Sequence, residues 1–116
     1  MTDPTGLPYT PAVRAGDWVA VSGQIGMVDG ALVGGGFDAE LRQVLSNLEA
    51  RLEEAGAAMT DVVKTTVFLR HLNDYGRMNE LYAAAFPAPR PARSAFAVAE
   101  LPFGALVEIE AWAHLA

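Results

Sequence analysis

The sequence predicts an α+β domain in which two helices pack on one face of a mixed β-sheet. Three observations support this prediction. One long segment repeats its apolar residues at helical spacing, several shorter segments alternate apolar and polar residues as strands do, and turn residues separate them. The resulting order is β-β-(β)-α-β-α-β-β, with no internal repeat, so residues 1–116 are expected to form a single domain.

The first third of the chain is expected to form a β-hairpin or meander. Its segments are an arm at residues 1–8, a brief strand at 12–14, and a strand at 18–25 that is expected to be buried on both faces at its start. Asp29-Gly30 is a tight-turn dipeptide, and it closes the hairpin or meander within residues 12–33.

Residues 37–55 carry the clearest helical periodicity in the sequence. The apolar stripe of this helix consists of Leu41, Val44, Leu45, Leu48, Leu52 and Ala55. The glycines at 34–36 allow the backbone angles needed on entry to the helix, and Gly56 stands where a C-terminal cap belongs.

The second half supplies three strands and a second helix. A β-branched strand covers 61–70, and its residues Val63, Thr65, Val67 and Leu69 are expected to share one face. Asn73 or Asp74 can cap a helix that runs to about Phe86, with a stripe of Tyr75, Met78, Leu81, Tyr82 and Ala85. Three prolines end this helix, and two closing strands follow at 93–99 and 105–115.

Composition excludes several classes of function. The chain has 116 residues, a net charge of −6, one lysine and no cysteine. Binding the phosphate backbone of a nucleic acid requires clustered Lys and Arg, so nucleic acid is not an expected partner. Without cysteine there are no disulfides and no thiolate catalysis.

The chain opens with no signal-peptide pattern, and no apolar run approaches the roughly 20 residues that span a bilayer, so a cytoplasmic protein without membrane contact is expected.

The last strand indicates a subunit interface. One of its faces is small and apolar, whereas the other carries Leu106, Glu108, Glu110, Trp112 and His114. A solvated face does not usually carry a Trp and a Leu, and a dry core does not carry two acids. An interface that contains a polar cleft accommodates both observations, so a small obligate oligomer is expected.

Two charged side chains are the candidates for chemistry. Arg93 stands at the entrance to an apolar strand, where it binds a carboxylate or phosphate or else forms a structural ion pair with Glu100, Glu108 or Glu110. Glu108 acts as a general base on a water molecule or is simply a satisfied interface acid. Tyr9, Ser22 and Asn79 are able to hold a polar ligand, although such residues are more often found in turns and caps.

Other motifs are missing or incomplete. His71 and His114 lack the spacing of a metal site, so no metal is expected. The glycines at 34–36 lack the Lys-Ser/Thr of a phosphate loop, and Ser22-Gly23 does not form a nucleophile elbow.

The sequence resembles the RidA/YjgF family over nearly its whole length. The resemblance is carried, in order, by Val21-Ser22-Gly23-Gln24-Ile25, Asn47-Leu48-Glu49 with Ala55-Gly56, Asp61-Val62-Val63-Lys64-Thr65-Thr66-Val67, Asn79-Glu80-Leu81-Tyr82, Arg90-Pro91-Ala92-Arg93-Ser94, and Val107-Glu108-Ile109-Glu110-Ala111. No single segment is decisive, but six in the family's order are specific.

The resemblance implies a chorismate-mutase-like α+β fold that assembles as a barrel-like homotrimer, with a cleft between each pair of neighbouring subunits. It also implies hydrolysis of reactive 2-enamine and 2-imine acids, such as 2-aminoacrylate, to 2-keto acids and ammonia, with no cofactor, metal or covalent intermediate. In this reading Arg93 grips the substrate carboxylate and Glu108 positions the attacking water. Tyr9, Ser22, Gly23 and Asn79 line the cleft, and backbone N–H groups near Ser22-Gly23 help to hold the anion.

The chain departs from the family pattern at two places. Leu7 and Thr10-Pro11 flank Pro8-Tyr9 where the family often has Gly and Ser-Gln, and Ala95 stands where several members have Cys. The alternatives are a binding or regulatory trimer that senses a 2-keto acid without turnover and, less favoured, a ribonuclease, a translation inhibitor or a chaperone.

Overall fold

Seven strands and two helices make up residues 6–116, the part of the chain that the computed structural model describes. The strands are β1 Ala12–Ala15, β2 Trp18–Gln24, β3 Met27–Val28, β4 Ala31–Leu32, β5 Val62–Leu69, β6 Ala92–Ala97 and β7 Val107–His114, and the helices are α1 Phe37–Glu54 and α2 Tyr75–Ala85. Most of the predicted arm at residues 1–8 lies outside the described residues, and residues 6–8 are exposed.

Five of these strands form one mixed sheet in the order β1-β2-β7-β5-β6. Neighbouring strands are antiparallel except β5 and β6, which run parallel. The parallel pair arises because the chain returns through α2 between these two strands, and a parallel pairing needs such a crossover. The short strands β3 and β4 pair separately, and Asp29 and Gly30 turn between them with φ of 51° and 81°, as predicted.

Helix α1 ends where its sequence indicates. Gly56 has a φ of +83°, and the Ala57 N–H donates to the carbonyl of Leu52 over 2.9 Å, so the last turn closes as a Schellman-type cap. The predicted stripe faces the sheet, with Leu41, Val44, Leu48 and Leu52 fully buried. Burial of each of these leucines contributes about 2 kcal/mol.

Helix α2 begins at Tyr75 after a short 3-10 turn, Leu72–Asp74. Asp74 precedes the helix, but its side chain makes no capping hydrogen bond, so side-chain capping by Asp74 is not observed. Met78, Tyr82 and Phe86 pack into the core, and the hydroxyl of Tyr82 lies 2.7 Å from the hydroxyl of Thr65.

Two predictions about strand faces were wrong. Val63 does not share a face with Thr65, because the pairing with β7 shifts register between Val62 and Lys64 and leaves Val63 exposed. Such a bulge reverses the alternation of side chains. Trp18 is also exposed, so the start of β2 is not buried on both faces within one chain.

The sheet therefore has a helix face and an open face. On the helix face the β7 residues Val107, Ile109, Ala111 and Ala113 are buried, as predicted. On the open face Trp18, Phe96 and Trp112 are about half exposed. Trp18 meets Trp112 edge to face, and the less exposed Phe68 meets Phe96 in the same way. None of the helices in residues 6–116 is both long and apolar enough to cross a membrane.

Candidate active site

Strand β6 places Arg93 on the helix face, at the edge of the sheet. In the parallel ladder Arg93 pairs with Thr65, and paired residues on neighbouring strands project to the same side. Thr65 is completely buried beneath α2, where it meets Tyr82. The Arg93 side chain consequently lies against α2.

The guanidinium of Arg93 meets only neutral groups. Its central carbon lies 4.8 Å from the ring centroid of Tyr82 and 5.6 Å from that of Tyr75. Nη2 donates to the Tyr75 hydroxyl over 3.2 Å, and Nη1 lies 3.4 Å from the sulfur of Met78. Within residues 6–116, the ion pairs involve Arg51 and Arg77 and leave Arg93 without a carboxylate. Aromatic faces stabilise a cation without neutralising its charge. The forked N–H groups of the Arg93 guanidinium, called the Arg93 fork below, therefore remain able to bind an anion.

Glu108 lies on the open face of the same sheet. It pairs with Phe68, which is three residues from Thr65 along β5 and so projects to the opposite side. Its carboxyl group lies against Gly23 so closely that a Cβ at that position would be 2.8 Å from the carboxyl carbon. Burial, assisted by the charge of Glu110, raises the pKa of Glu108 above the ordinary glutamate value. Glu108 therefore keeps its proton to a higher pH than an exposed glutamate.

Within one chain, Arg93 and Glu108 are thus separated by the sheet. Arg93 shares the helix face with Thr65, and Glu108 shares the open face with Phe68. The sequence identified two charged residues that are not already paired with each other, but a single chain does not bring them into one cleft.

The other four candidates divide between these two locations. Asn79 follows Met78 on α2, on the side of Arg93, and is half-buried. Tyr9 and Gly23 line one pocket together with Ile25, Asn47 and Phe103. Glu108 contacts this group through Gly23.

Ser22 has a structural function in the described fold. Its hydroxyl donates to the carbonyl of Thr10 over 2.9 Å, and its backbone N–H donates to the carbonyl of Pro11 over 2.9 Å. Both donors fasten the segment before β1 to β2. The Ser22 N–H is thus already bonded within one chain, and the expectation that backbone N–H groups near Ser22-Gly23 help to hold an anion stays a prediction.

Sequence reasoning missed the surroundings of Arg93. Tyr75, Met78 and Tyr82 were interpreted only as the apolar stripe of the second helix. The two tyrosines were the available signal, since a phenol in such a stripe carries a polar tip that needs a partner.

A buried acid was also missed. Glu40 is 5% exposed on α1, and its Oε1 accepts the backbone N–H of Leu106 over 2.8 Å, just before β7 begins. The acid ties α1 to the strand that carries Glu108. In residues 6–116, no three His, Cys, Asp or Glu side chains group together as a metal site.

These observations define an α+β protein with an arginine that has no carboxylate partner in residues 6–116 on one sheet face and a half-buried acid on the other. The chain matches the sequence model of the family described as Endoribonuclease L-PSP over residues 3–115, and it belongs to that family. The resemblance to the RidA/YjgF proteins is thereby confirmed.

Curated relatives cover most of the chain. A 2-iminobutanoate/2-iminopropanoate deaminase of Homo sapiens is 46% identical over 106 residues, which are 90% of this chain and 77% of the relative. A RutC family protein of Pyrococcus horikoshii is 44% identical over 109 residues, which are 92% of this chain and 86% of the relative.

Solved structures confirm the fold. The crystal structure of RidA from the Antarctic bacterium Psychrobacter sp. has a TM-score of 0.91 and 40% identity, with 95% of this chain and 90% of that chain covered. The structure of the YjgF gene product from E. coli has a TM-score of 0.84 and 40% identity, with 92% and 87% covered. The predicted α+β class, with two helices on one face of a mixed sheet, is correct.

Proposed function

We propose that this protein hydrolyses reactive 2-enamine and 2-imine acids, such as 2-aminoacrylate, to 2-keto acids and ammonia. The observation that carries the proposal is the Arg93 guanidinium, which is held between two tyrosine rings and lacks a carboxylate partner within residues 6–116. Relatives that are about 46% identical are named as deaminases of such imines. The planar guanidinium of an arginine binds a carboxylate through two parallel hydrogen bonds, so a small carboxylic acid fits this site.

In the proposed reaction Arg93 binds the substrate carboxylate and Glu108 positions the water. An enamine first gains a proton at its β-carbon and loses one from nitrogen, which gives the imine. The water oxygen attacks the C=N carbon and gives up one proton, and the nitrogen takes up one proton, which gives a carbinolamine. The nitrogen then takes up a second proton and leaves as ammonia, while the carbinolamine hydroxyl loses its proton and the C=O bond forms. Burial raises the pKa of the Glu108 carboxyl group, so it holds a proton more readily than an exposed glutamate and is suited to accept one and return it. Because the substrate and the water are both held in place, the attack no longer depends on a chance encounter between them in the right orientation.

We further propose a homotrimer in which each cleft takes Arg93 from one chain and Glu108 from its neighbour. The separation of the two residues by the sheet supports this arrangement, since one chain cannot present both to one substrate. The half-exposed Trp18, Phe96 and Trp112 on the open face support it as well, because clustered aromatic residues of this kind mark interfaces. Tyr9, Gly23 and Asn79 complete the cleft, whereas Ser22 supports its wall.

A nuclease function is disfavoured, although the family's description mentions it. The net charge is −6, and Arg51 and Arg77 are occupied by Glu54, Asp38 and Glu80. Phosphate backbones are bound by free clustered cations. The single-domain organisation and the cytoplasmic location expected from the sequence remain part of this proposal, and cell fractionation tests the location.

The test is Arg93→Ala, with ammonia and keto-acid release measured from an imine that an amino-acid oxidase generates in the assay. Loss of a charge-assisted carboxylate contact should lower kcat/KM by about 100-fold or more. Arg90→Ala is the matched control, because Arg90 is exposed and donates only to the carbonyl of Ala83 within the described residues. Unchanged turnover in folded Arg93→Ala would refute the proposal. Keto-acid binding without any turnover in the unmodified protein would instead identify a sensor.

A further inference from the structure

Tyr75 stands beside the exposed edge of the Arg93 guanidinium. It is the first residue of α2, it is 38% exposed, and its hydroxyl oxygen accepts the Arg93 Nη2–H over 3.2 Å. Tyr82 contacts the other part of the guanidinium, but its hydroxyl is buried with that of Thr65 at 2.7 Å. Of these two tyrosines, only Tyr75 presents its hydroxyl at the surface.

The Tyr75 hydroxyl keeps a donor to spare. A phenol both accepts and donates one hydrogen bond, whereas a guanidinium only donates. In the contact with Arg93 the phenol oxygen is therefore the acceptor, and its proton is not used. Within residues 6–116, no second hydrogen bond engages this hydroxyl. Accepting a bond from a cation also polarises the O–H and makes it a better donor.

We propose that Tyr75 is a second carboxylate-binding residue, whose O–H donates to the same carboxylate that the Arg93 fork binds. The inference rests on the proposed role of Arg93 and deepens it. A carboxylate has two oxygens and about four lone-pair sites, so it can accept the Arg93 N–H groups and the phenol together. The Tyr75 hydroxyl lies 3.2 Å from Arg93 Nη2. A carboxylate oxygen that accepts a hydrogen bond from Nη2 would therefore lie next to the phenol.

The arrangement favours ionised acids over neutral carbonyl compounds. Three donors converge on one small anion, and hydrogen bonds to an ionised group are stronger than those to a neutral one. Tyr75 makes the same contact with the substrate and with the transition state, because the carboxylate does not react. Its loss should therefore raise KM and leave kcat unchanged.

The experiment compares Tyr75→Phe with the unmodified protein. The substitution keeps the ring and its contact with the guanidinium and removes only the hydroxyl. Calorimetry should show about tenfold weaker binding of 2-oxobutanoate, the lower end for a hydrogen bond to a charged group, because the site is partly exposed. Turnover of the imine formed from 2-aminobutanoate by an amino-acid oxidase should show a similar rise in KM at constant kcat.

The possible outcomes separate the role of Tyr75 in binding the carboxylate from the proposed deaminase activity. Equal affinity for 2-oxobutanoate in both proteins would overturn the role of Tyr75, whatever the turnover. Weaker binding by Tyr75→Phe in a protein without turnover would support Tyr75 and overturn the deaminase. No binding of 2-oxobutanoate by either protein would overturn the role of Tyr75, and absence of imine turnover as well would overturn the deaminase. A fall in kcat alone would also contradict the role given to Tyr75.

Discussion

The contact between Gly23 and Glu108 gives the sharpest mutational prediction. A Cβ added at Gly23 would lie 2.8 Å from both Cδ and Oε2 of Glu108 and 3.0 Å from Cγ. Ordinary contact begins at 3.4 Å, so the carboxyl group would have to retreat by about 0.6 Å. Gly23→Ala therefore moves the acid without removing it.

The structure indicates that the fold should tolerate this change. Gly23 has no positive φ, so its backbone accepts alanine without strain. The clashing atoms belong to a flexible side chain, whose adjustment costs about 1 kcal/mol. Loss of glycine's freedom in the unfolded chain offsets this by about 0.4–1 kcal/mol. The Tm is expected to change by no more than a few degrees.

Activity should respond much more strongly than stability. Misplacement of a reacting group by about 1 Å costs on the order of 100-fold, so a displacement of this size should lower kcat/KM by about 10- to 100-fold. The assay is ammonia release from an oxidase-generated imine, with Tm measured in parallel.

Gly34→Ala is the matched control for Gly23→Ala. An added Cβ at Gly34 meets nothing within 4 Å, and Gly34 likewise has no positive φ. Full activity in folded Gly23→Ala, or an equal loss in Gly34→Ala, would show that the contact between Gly23 and Glu108 does not position the acid.

Two further predictions concern stability. Because the folded-state pKa of Glu108 is raised, its neutral form favours folding at low pH, and this contribution is lost as pH rises through the folded pKa. Glu108→Gln should therefore gain stability relative to the unmodified protein between pH 4 and pH 7. The gain should be less than about 1 kcal/mol, since the group is only partly buried and water screens its charge, and an equal Tm difference at both pH values would contradict this. Thr65→Val should cost about 1–3 kcal/mol in urea unfolding, because the buried Tyr82 hydroxyl loses its partner at 2.7 Å, and an unchanged midpoint would show that the pair contributes nothing.

Local sequence patterns were sufficient for the elements that local interactions determine. The stripe from Leu41 to Leu52 and the glycine at 56 defined α1 and its end, and Asp29-Gly30 defined a tight turn. The exposure of Val63 was not predictable, because a bulge depends on pairing between β5 and β7. Pairing of that kind is decided by residues far apart in sequence.

The same limit applies to the candidate site. The sequence selected Arg93 and Glu108 as charged residues in apolar strands, and both are half-buried. Their placement on opposite faces depends on the register of β6 and β7 against β5, which alternation within one strand does not specify. The tyrosines around Arg93 came from a helix that was interpreted as core alone.

A mixing experiment tests the shared cleft most directly. Arg93→Ala and Glu108→Gln are each expected to be inactive, and each keeps the residue that the other lacks. Unfolding and refolding them together in equal amounts should restore about one quarter of the unmodified activity, since a cleft is intact only when its Arg93 and its Glu108 come from the right chains of a cyclic assembly. Recovery near that level would support a site built by two chains from opposite faces of their sheets. No recovery from a mixture that forms trimers would contradict the account.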